Sequence, residues 1–234
     1  MTAKQQSLRQ ENAPSENGKS IQPFTGVLFP GICFESGHCF CLYKWWETPT
    51  SIDEYESLWI ITPDGERLLY GDRPEAVTFV QKYHKFDQTH EAEINWTTLG
   101  KDRLECTLEG EDGTTLDLSL DLGSSIGTRL LGIITTVTPT LLLRTSFGET
   151  ISNLTFGLLL DTNGLKVAGD TDTSEPYRVE SDSLRIVTSG TARLNDEDCG
   201  TLRPPDRPIK FGDAIVPNDP LVTFGELWLR PPPE

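Results

Sequence analysis

Arg103-Leu104-Glu105-Cys106-Thr107-Leu108-Glu109-Gly110-Glu111-Asp112-Gly113-Thr114-Thr115-Leu116-Asp117-Leu118-Ser119-Leu120-Asp121-Leu122 is the stretch that decides the fold class. Leu104, Cys106 and Leu108 alternate with Arg103, Glu105, Thr107 and Glu109, and Leu116, Leu118, Leu120 and Leu122 alternate with Thr115, Asp117, Ser119 and Asp121. A strict period of two over both runs means two strands, each with one dry and one wet face. Between them Glu111-Asp112-Gly113 fits a three-residue hairpin loop, with Gly113 supplying the left-handed conformation. That loop sets a register with Leu108 opposite Leu116, Cys106 opposite Leu118, Leu104 opposite Leu120 and Arg103 opposite Asp121.

The same punctuation recurs outward from this hairpin. Pro63-Asp64-Gly65 is a turn signal, which places Thr62 opposite Glu66, Ile60 opposite Leu68 and Leu58 opposite Tyr70. Val77 to Trp96 reads as a further hairpin turning at Asp87-Gln88, with Phe79 opposite Trp96, Tyr83 opposite Ala92, Lys82 opposite Glu93 and His84 opposite Glu91. Further strands are expected near 151–160, 164–169, 176–180, 184–193, 208–216 and 222–230. One segment departs from period two. In 124–137, Ile126, Leu130, Leu131, Ile133, Ile134 and Val137 fall on a helical stripe, capped by Ser124 or Ser125 and ended by Pro139. The fold class is therefore all-β and mainly antiparallel, a meandering barrel or sandwich with one short helix near 124–137.

At 234 residues the chain fits one large β domain without a disulfide or metal staple. Residues 1–20 are polar and read as a disordered tail, leaving 21–234 as a single β-rich domain. The net charge of −16 repels phosphates and anionic lipid heads, so nucleic acid is not an expected partner. No apolar run approaches the roughly 20 residues needed to span a bilayer, so no integral membrane segment is expected. The N-terminus lacks the apolar core of a secretory signal, and the five cysteines include no CxxC pair. Reduced thiols in a cytoplasmic protein are the simplest expectation.

Few residues point to chemistry. In Cys33-Phe34-Glu35-Ser36-Gly37-His38-Cys39-Phe40-Cys41-Leu42, a continuous strand puts Cys33, Glu35, Cys39, Cys41 and Tyr43 on one face. Phe34, His38, Phe40 and Leu42 take the other. Both faces are apolar enough to be covered. Burial would shift the pKa of Glu35 or His38, making them the candidate catalytic acid–base pair; the plainer reading is a core strand whose cysteines act as small hydrophobes. The group His84, Asp87, His90, Glu91 and Glu93 has metal-ligating chemistry, but the hairpin register separates the two histidines, so no metal is assigned. Asp170-Thr171-Asp172-Thr173-Ser174 opens like a calcium loop but lacks the later glycine and glutamate, and reads as an acidic turn. No GxGxxG fingerprint, GxxxxGK loop, GxSxG elbow or HExxH helix occurs, and no cofactor is expected.

The strand pattern resembles lipocalin-like barrels, including the group related to carotenoid hydratases, and the likeness is one of architecture. It implies a small lipophilic ligand in a pocket inside the barrel. Trp46, Trp59, Phe79, Tyr83, Trp96 and Ile133 are the candidate lining residues, with 124–137 near one end. The alternatives are an enzyme on the same barrel, of hydratase, cyclase, isomerase or decarboxylase type, and a protein-interaction module without a pocket.

Overall fold

The computed structural model describes residues 15–16, 19–99, 102–123 and 167–230. Most of the 1–20 stretch, the helix expected over 124–137 with its Ile133, and the strand expected over 151–160 lie outside the described residues. Within 15–20, β1 (Ser15–Glu16) pairs antiparallel with β2 (Lys19–Ser20).

The decisive hairpin forms in the register read from the sequence. β8 (Arg103–Gly110) and β9 (Thr115–Gly123) pair Leu104 with Leu120, Cys106 with Leu118, Leu108 with Leu116 and Arg103 with Asp121. Gly113 has φ +87°, and Gly110 and Thr114 close the loop through the Gly110 N–H. All seven inward residues are buried. Each such leucine is worth about 1.5–3 kcal/mol, whereas a one-residue slip would turn them all to water. The turn at 63–65 joins β5 (Tyr55–Ile61) to β6 (Arg67–Gly71), again as read, with Leu58 opposite Tyr70 and Ile60 opposite Leu68. Gly65 supplies its positive φ of 93°.

The hairpin expected over Val77–Trp96 does not form. Pro74–Val80 is a helix, α1, and β7 (Gln88–Leu99) returns parallel to β6. The reason is spacing. Ala76, Phe79, Val80 and Tyr83 fall at i, i+3, i+4 and i+7, and all are buried. Pro74 opens the helix where its missing N–H costs nothing, and Glu75 sits in the first turn. Two strands joined by a helical crossover can then lie parallel.

The remaining long strands are β3 (Gln22–Cys33), β4 (Cys39–Glu47), β11 (Pro176–Leu194) and β15 (Leu221–Leu229). The sheet runs from β10 (Ala168–Asp170) through β11-β15-β3-β4-β5-β6-β7-β8-β9, β12 (Glu197–Asp198) pairs with β11, and β9 then pairs with β11. The hydrogen-bonded path thus returns on itself as a ring, antiparallel except at β6–β7. β11 makes this possible. Its residues 177–186 pair with β15 and its residues 186–194 pair with β9. The two strands expected at 176–180 and 184–193 are one strand, because a bulge between Ser181 and Ser183 bends the ladder without ending it.

Two apolar clusters follow. The first takes residues from all nine strands of the ring, among them Phe29, Leu42, Ile60, Tyr70, Ile94, Leu108, Leu118, Val187 and Val222, and so fills the inside. The second lies outside the ring. It joins the outward residues of β3, β4, β5, β6 and β15 to α1, to Tyr177 and to the segment around 209–216, where β13 (Lys210–Phe211) pairs with β14 (Ala214–Ile215). The outer faces of β8 and β9 are wet, as their alternation demands.

Candidate functional site

On β4 the sequence alternates apolar residues on both faces. Phe40 and Leu42 face inward, while Cys39, Cys41 and Trp45 belong to the outer cluster, with Tyr43 packed against it. On β5, Leu58 and Ile60 face inward while Tyr55, Ser57 and Trp59 take the outer side. This second apolar face is what α1 and the 209–216 segment cover. The cover is incomplete, and a half-enclosed cavity of about 120 Å³ remains between the two layers.

The strand wall of the cavity is Leu28, Tyr43, Trp45, Tyr55, Ser57, Trp59, Leu227 and Leu229. Phe79, Val80, Tyr83 and His84 face it from α1 and the turn after it, with Phe211, Ala214 and Val216 beside them and Tyr177 and Val179 closing one side. Trp59 stands at the centre of the ring contacts, with centroids 4.6 Å from Tyr43, 4.9 Å from His84 and 4.9 Å from Phe211. No Asp, Glu, Lys or Arg is among the described residues lining the cavity. Burial holds the phenols of Tyr43 and Tyr55 well above their ordinary pKa, so both are neutral across the physiological range. Tyr83 donates its hydroxyl to the Arg230 carbonyl at 2.5 Å. Ser57 is 1% exposed, and neither its Oγ nor Nε1 of Trp59 has a hydrogen-bond partner among the described residues.

Asp172 locks the cover to the ring. It accepts from Arg67 Nη1 at 3.0 Å, from the backbone N–H of Lys85 at 3.3 Å and from that of Gly212 at 2.7 Å, and its Oδ2 lies 3.3 Å from Nδ1 of His84. Burial opposes ionisation of this carboxyl, but the hydrogen bonds from His84, Gly212 and Lys85 and the charge of Arg67 outweigh it and hold its pKa well below the usual range. The Arg67 guanidinium also sits 4.8 Å over the Phe211 ring. The acidic turn read from the sequence is thus a brace that orients His84 at the cavity wall. No protein-family model matches the chain, and no curated protein matches it in sequence.

Of the residues singled out from the sequence, Trp59, Phe79 and Tyr83 meet at this cavity. Trp96 instead packs half-buried on the inner cluster, 5.8 Å from Phe29. Trp46 is 43% exposed. Glu35 and His38 are not in a covered strand, because the chain turns at Glu35-Ser36-Gly37, with Gly37 at φ +84°. Glu35 is exposed and accepts from the Thr201 N–H at 3.0 Å, which lowers its pKa. His38 lies 3.0 Å from Ser36 Oγ, and partial burial lowers its pKa. Neither lines the cavity. The turn also brings Cys33 opposite Cys39, and the two form a disulfide, whereas the sequence reading had all five thiols reduced. Cys41, Cys106 and Cys199 are free and buried.

The two histidines lie apart, but not through the expected hairpin register, which does not form. His84 is on Asp172, not Glu91. His90 stacks on Tyr70 and lies 3.6 Å from Asp112. No cluster of three or more potential metal ligands occurs among the described residues, and none of their helices is long and apolar enough to cross a membrane. Sequence reasoning missed Tyr43, Trp45, Tyr55, Ser57, His84 and Phe211 as cavity residues. The available signal was the two-faced apolar pattern of β4, which demands a cover outside the ring.

Proposed function

We propose that this protein binds a small lipophilic molecule, and that the binding site is the aromatic cavity on the outer face of the ring. The observation that carries this reading is the cavity itself: an apolar void walled by aromatic rings beside a ring interior already filled by its own side chains. The apolar walls of a cavity of about 120 Å³ lack contact partners on their open side. An occupant recovers that contact energy, and water does so poorly where polar partners are few. Lipophilic pockets with a few polar groups are the common form of small-molecule sites.

Trp45 and Trp59 line the cavity, so tryptophan emission reports on occupancy. A panel running from single-ring aromatics to fatty acids and retinoids is titrated into the protein. Saturable quenching at one site per chain is expected from members small enough to enter, and Ala214→Trp, which fills the cavity, abolishes it. If no member of the panel saturates, or if Ala214→Trp binds as well as the unmodified protein, the reading fails.

A further inference from the structure

We infer that two copies of this chain associate edge to edge, by antiparallel pairing of the free margin of β7 with the same margin of the second copy, about a two-fold axis at Trp96. The inference goes beyond the proposed binding function and does not depend on the aromatic cavity.

The margin follows from the ladders. β6 ends at Gly71, opposite Glu91, while β7 continues from Ala92 to Leu99 paired with β8 on its other side. The Glu111 N–H donates to the Glu91 carbonyl at 3.0 Å. Hydrogen-bonded pairs with β8 therefore recur on every second residue, at Glu93, Asn95, Thr97 and Leu99. The N–H and carbonyl groups of Ile94, Trp96 and Thr98 point the other way, and no hydrogen bond reaches them among the described residues. Thr97, Thr98 and Leu99 are exposed.

An unpaired margin is a template for another strand, and proteins blunt it with Lys, Pro, bulges or inward charges. Ile94-Asn95-Trp96-Thr97-Thr98-Leu99 carries none of these. It is uncharged and rich in β-branched and aromatic residues, which favour strand pairing.

The geometry of the free groups selects the occupant. An axis at Trp96 sets Trp96 opposite its own copy and Ile94 opposite Thr98 on both sides. Each such pair exchanges two hydrogen bonds, about six in all, and the contact closes on itself. Sliding the register by two residues leaves Ile94 or Thr98 facing a residue outside this set.

Charge complementarity supports the same register. On the wet face Glu93 stands directly opposite Glu109, an arrangement that costs stability. Among the described residues Glu93 accepts a hydrogen bond from Asn95 Nδ2 at 3.0 Å and pairs with no cation. The axis at Trp96 brings Leu99 of the second copy beside Glu93, with Arg103 of that copy one strand further on the same face. Two strand spacings make roughly 10 Å between backbones, a gap that arginine and glutamate side chains span. Within one chain Glu93 and Arg103 lie at opposite ends of the β7–β8 ladder, so this cation comes from the second copy. The net charge of −16 opposes association at long range, but salt screens it beyond about 8 Å. Three residue pairs make a contact small beside the roughly 1,200–2,000 Å² of a standard interface, and the dimer is accordingly weak.

Sedimentation velocity from about 5 to 500 µM in about 0.15 M salt tests the inference. The mass should rise from the 26.0 kDa of one chain towards twice that value. Amide exchange at Ile94, Trp96 and Thr98 should slow with concentration, while Asn95 and Thr97 stay protected throughout. Thr98→Pro removes an N–H that the single chain does not use, so the variant folds, and it abolishes association. Leu99→Glu sets like charges beside Glu93 and weakens association about tenfold, whereas Leu99→Lys leaves it at least as strong. Arg103→Glu weakens it about fivefold, and combining Arg103→Glu with Glu93→Arg restores it. A mass of 26.0 kDa at every concentration, association that survives Thr98→Pro, or failure of the exchanged pair to restore what Arg103→Glu loses overturns the inference. So does full protection of Ile94, Trp96 and Thr98 at the lowest concentration, which would place another segment of the same chain on the margin.

Discussion

Trp59 meets Phe211 edge to face, with ring centroids 4.9 Å apart, and this contact ties the outer wall of the ring to the small β13–β14 hairpin that covers it. The two residues are remote in sequence, and neither is exposed by more than 5%. The cover is a short ladder with little structure of its own. Its position depends on this contact and on the Asp172 brace.

Phe211→Ala should therefore loosen the cover more than the ring. A large-to-small change at a buried phenylalanine costs about 3–5 kcal/mol when the site cannot collapse. Chemical denaturation should show that loss, and Trp59 emission in the native baseline should shift to the red. An unchanged emission maximum would mean that the hairpin stays seated without its anchor.

Leu118→Asp addresses the opposite side of the sheet. Leu118 is 2% exposed, opposite Cys106 on β8 and Ala192 on β11. An unpaired carboxylate there should cost several kcal/mol, enough to unfold the domain near room temperature. Circular dichroism and thermal melts decide it, and a variant melting within a few degrees of the parent would contradict the packing of the inner cluster.

Asp172→Asn tests the brace and its pH dependence. The folded carboxyl has a depressed pKa, so its contribution is complete above the unfolded value of about 3.9 and is lost as pH falls through the lower folded value. The variant should be less stable by about 2–4 kcal/mol at neutral pH. The gap between variant and parent should close as pH drops below about 4. A gap that persists in acid would place the effect in the shape of the side chain and not in its charge.

The cysteine pattern is open to direct counting. Alkylation of unfolded protein without reductant should modify three thiols, those of Cys41, Cys106 and Cys199. Five modified thiols would mean that Cys33 and Cys39 are reduced. Replacing that pair by serine should lower stability by about 2 kcal/mol, since the loop that it closes is short.

The sequence made the ring strands legible wherever one face is wet. The alternation through Leu104–Leu122 and the turn at Pro63-Asp64-Gly65 specify face and register together, and both stand as read. Legibility failed where both faces are covered. Phe79 and Tyr83 fit a strand facing Trp96 and Ala92 as well as they fit a helix, and the choice fell to Pro74 and to the i, i+3, i+4, i+7 spacing of Ala76, Phe79, Val80 and Tyr83. The cavity was half visible for the same reason. Its aromatic content could be read from residue types, but which side of the sheet each ring faces depends on long-range pairing. Phe211 and Ser57 carry no local sign that they meet.

The double pairing of β11 and the union of β3 with β15 have a consequence for how the chain is made. β3 is the first strand of the ring and β15 the last, yet they are neighbours, with Val27 opposite Phe224. A ribosome adding about 5–20 residues per second delivers β15 on the order of 10–40 s after β3. Throughout that interval the free margin of β3, rich in Phe24, Val27, Leu28 and Phe29, has no strand to pair with. Exposed strand margins recruit other chains. The finished molecule seals its ring; the nascent one carries an open seam until its final strand emerges, and crowding of newly made chains is the condition under which this protein should aggregate.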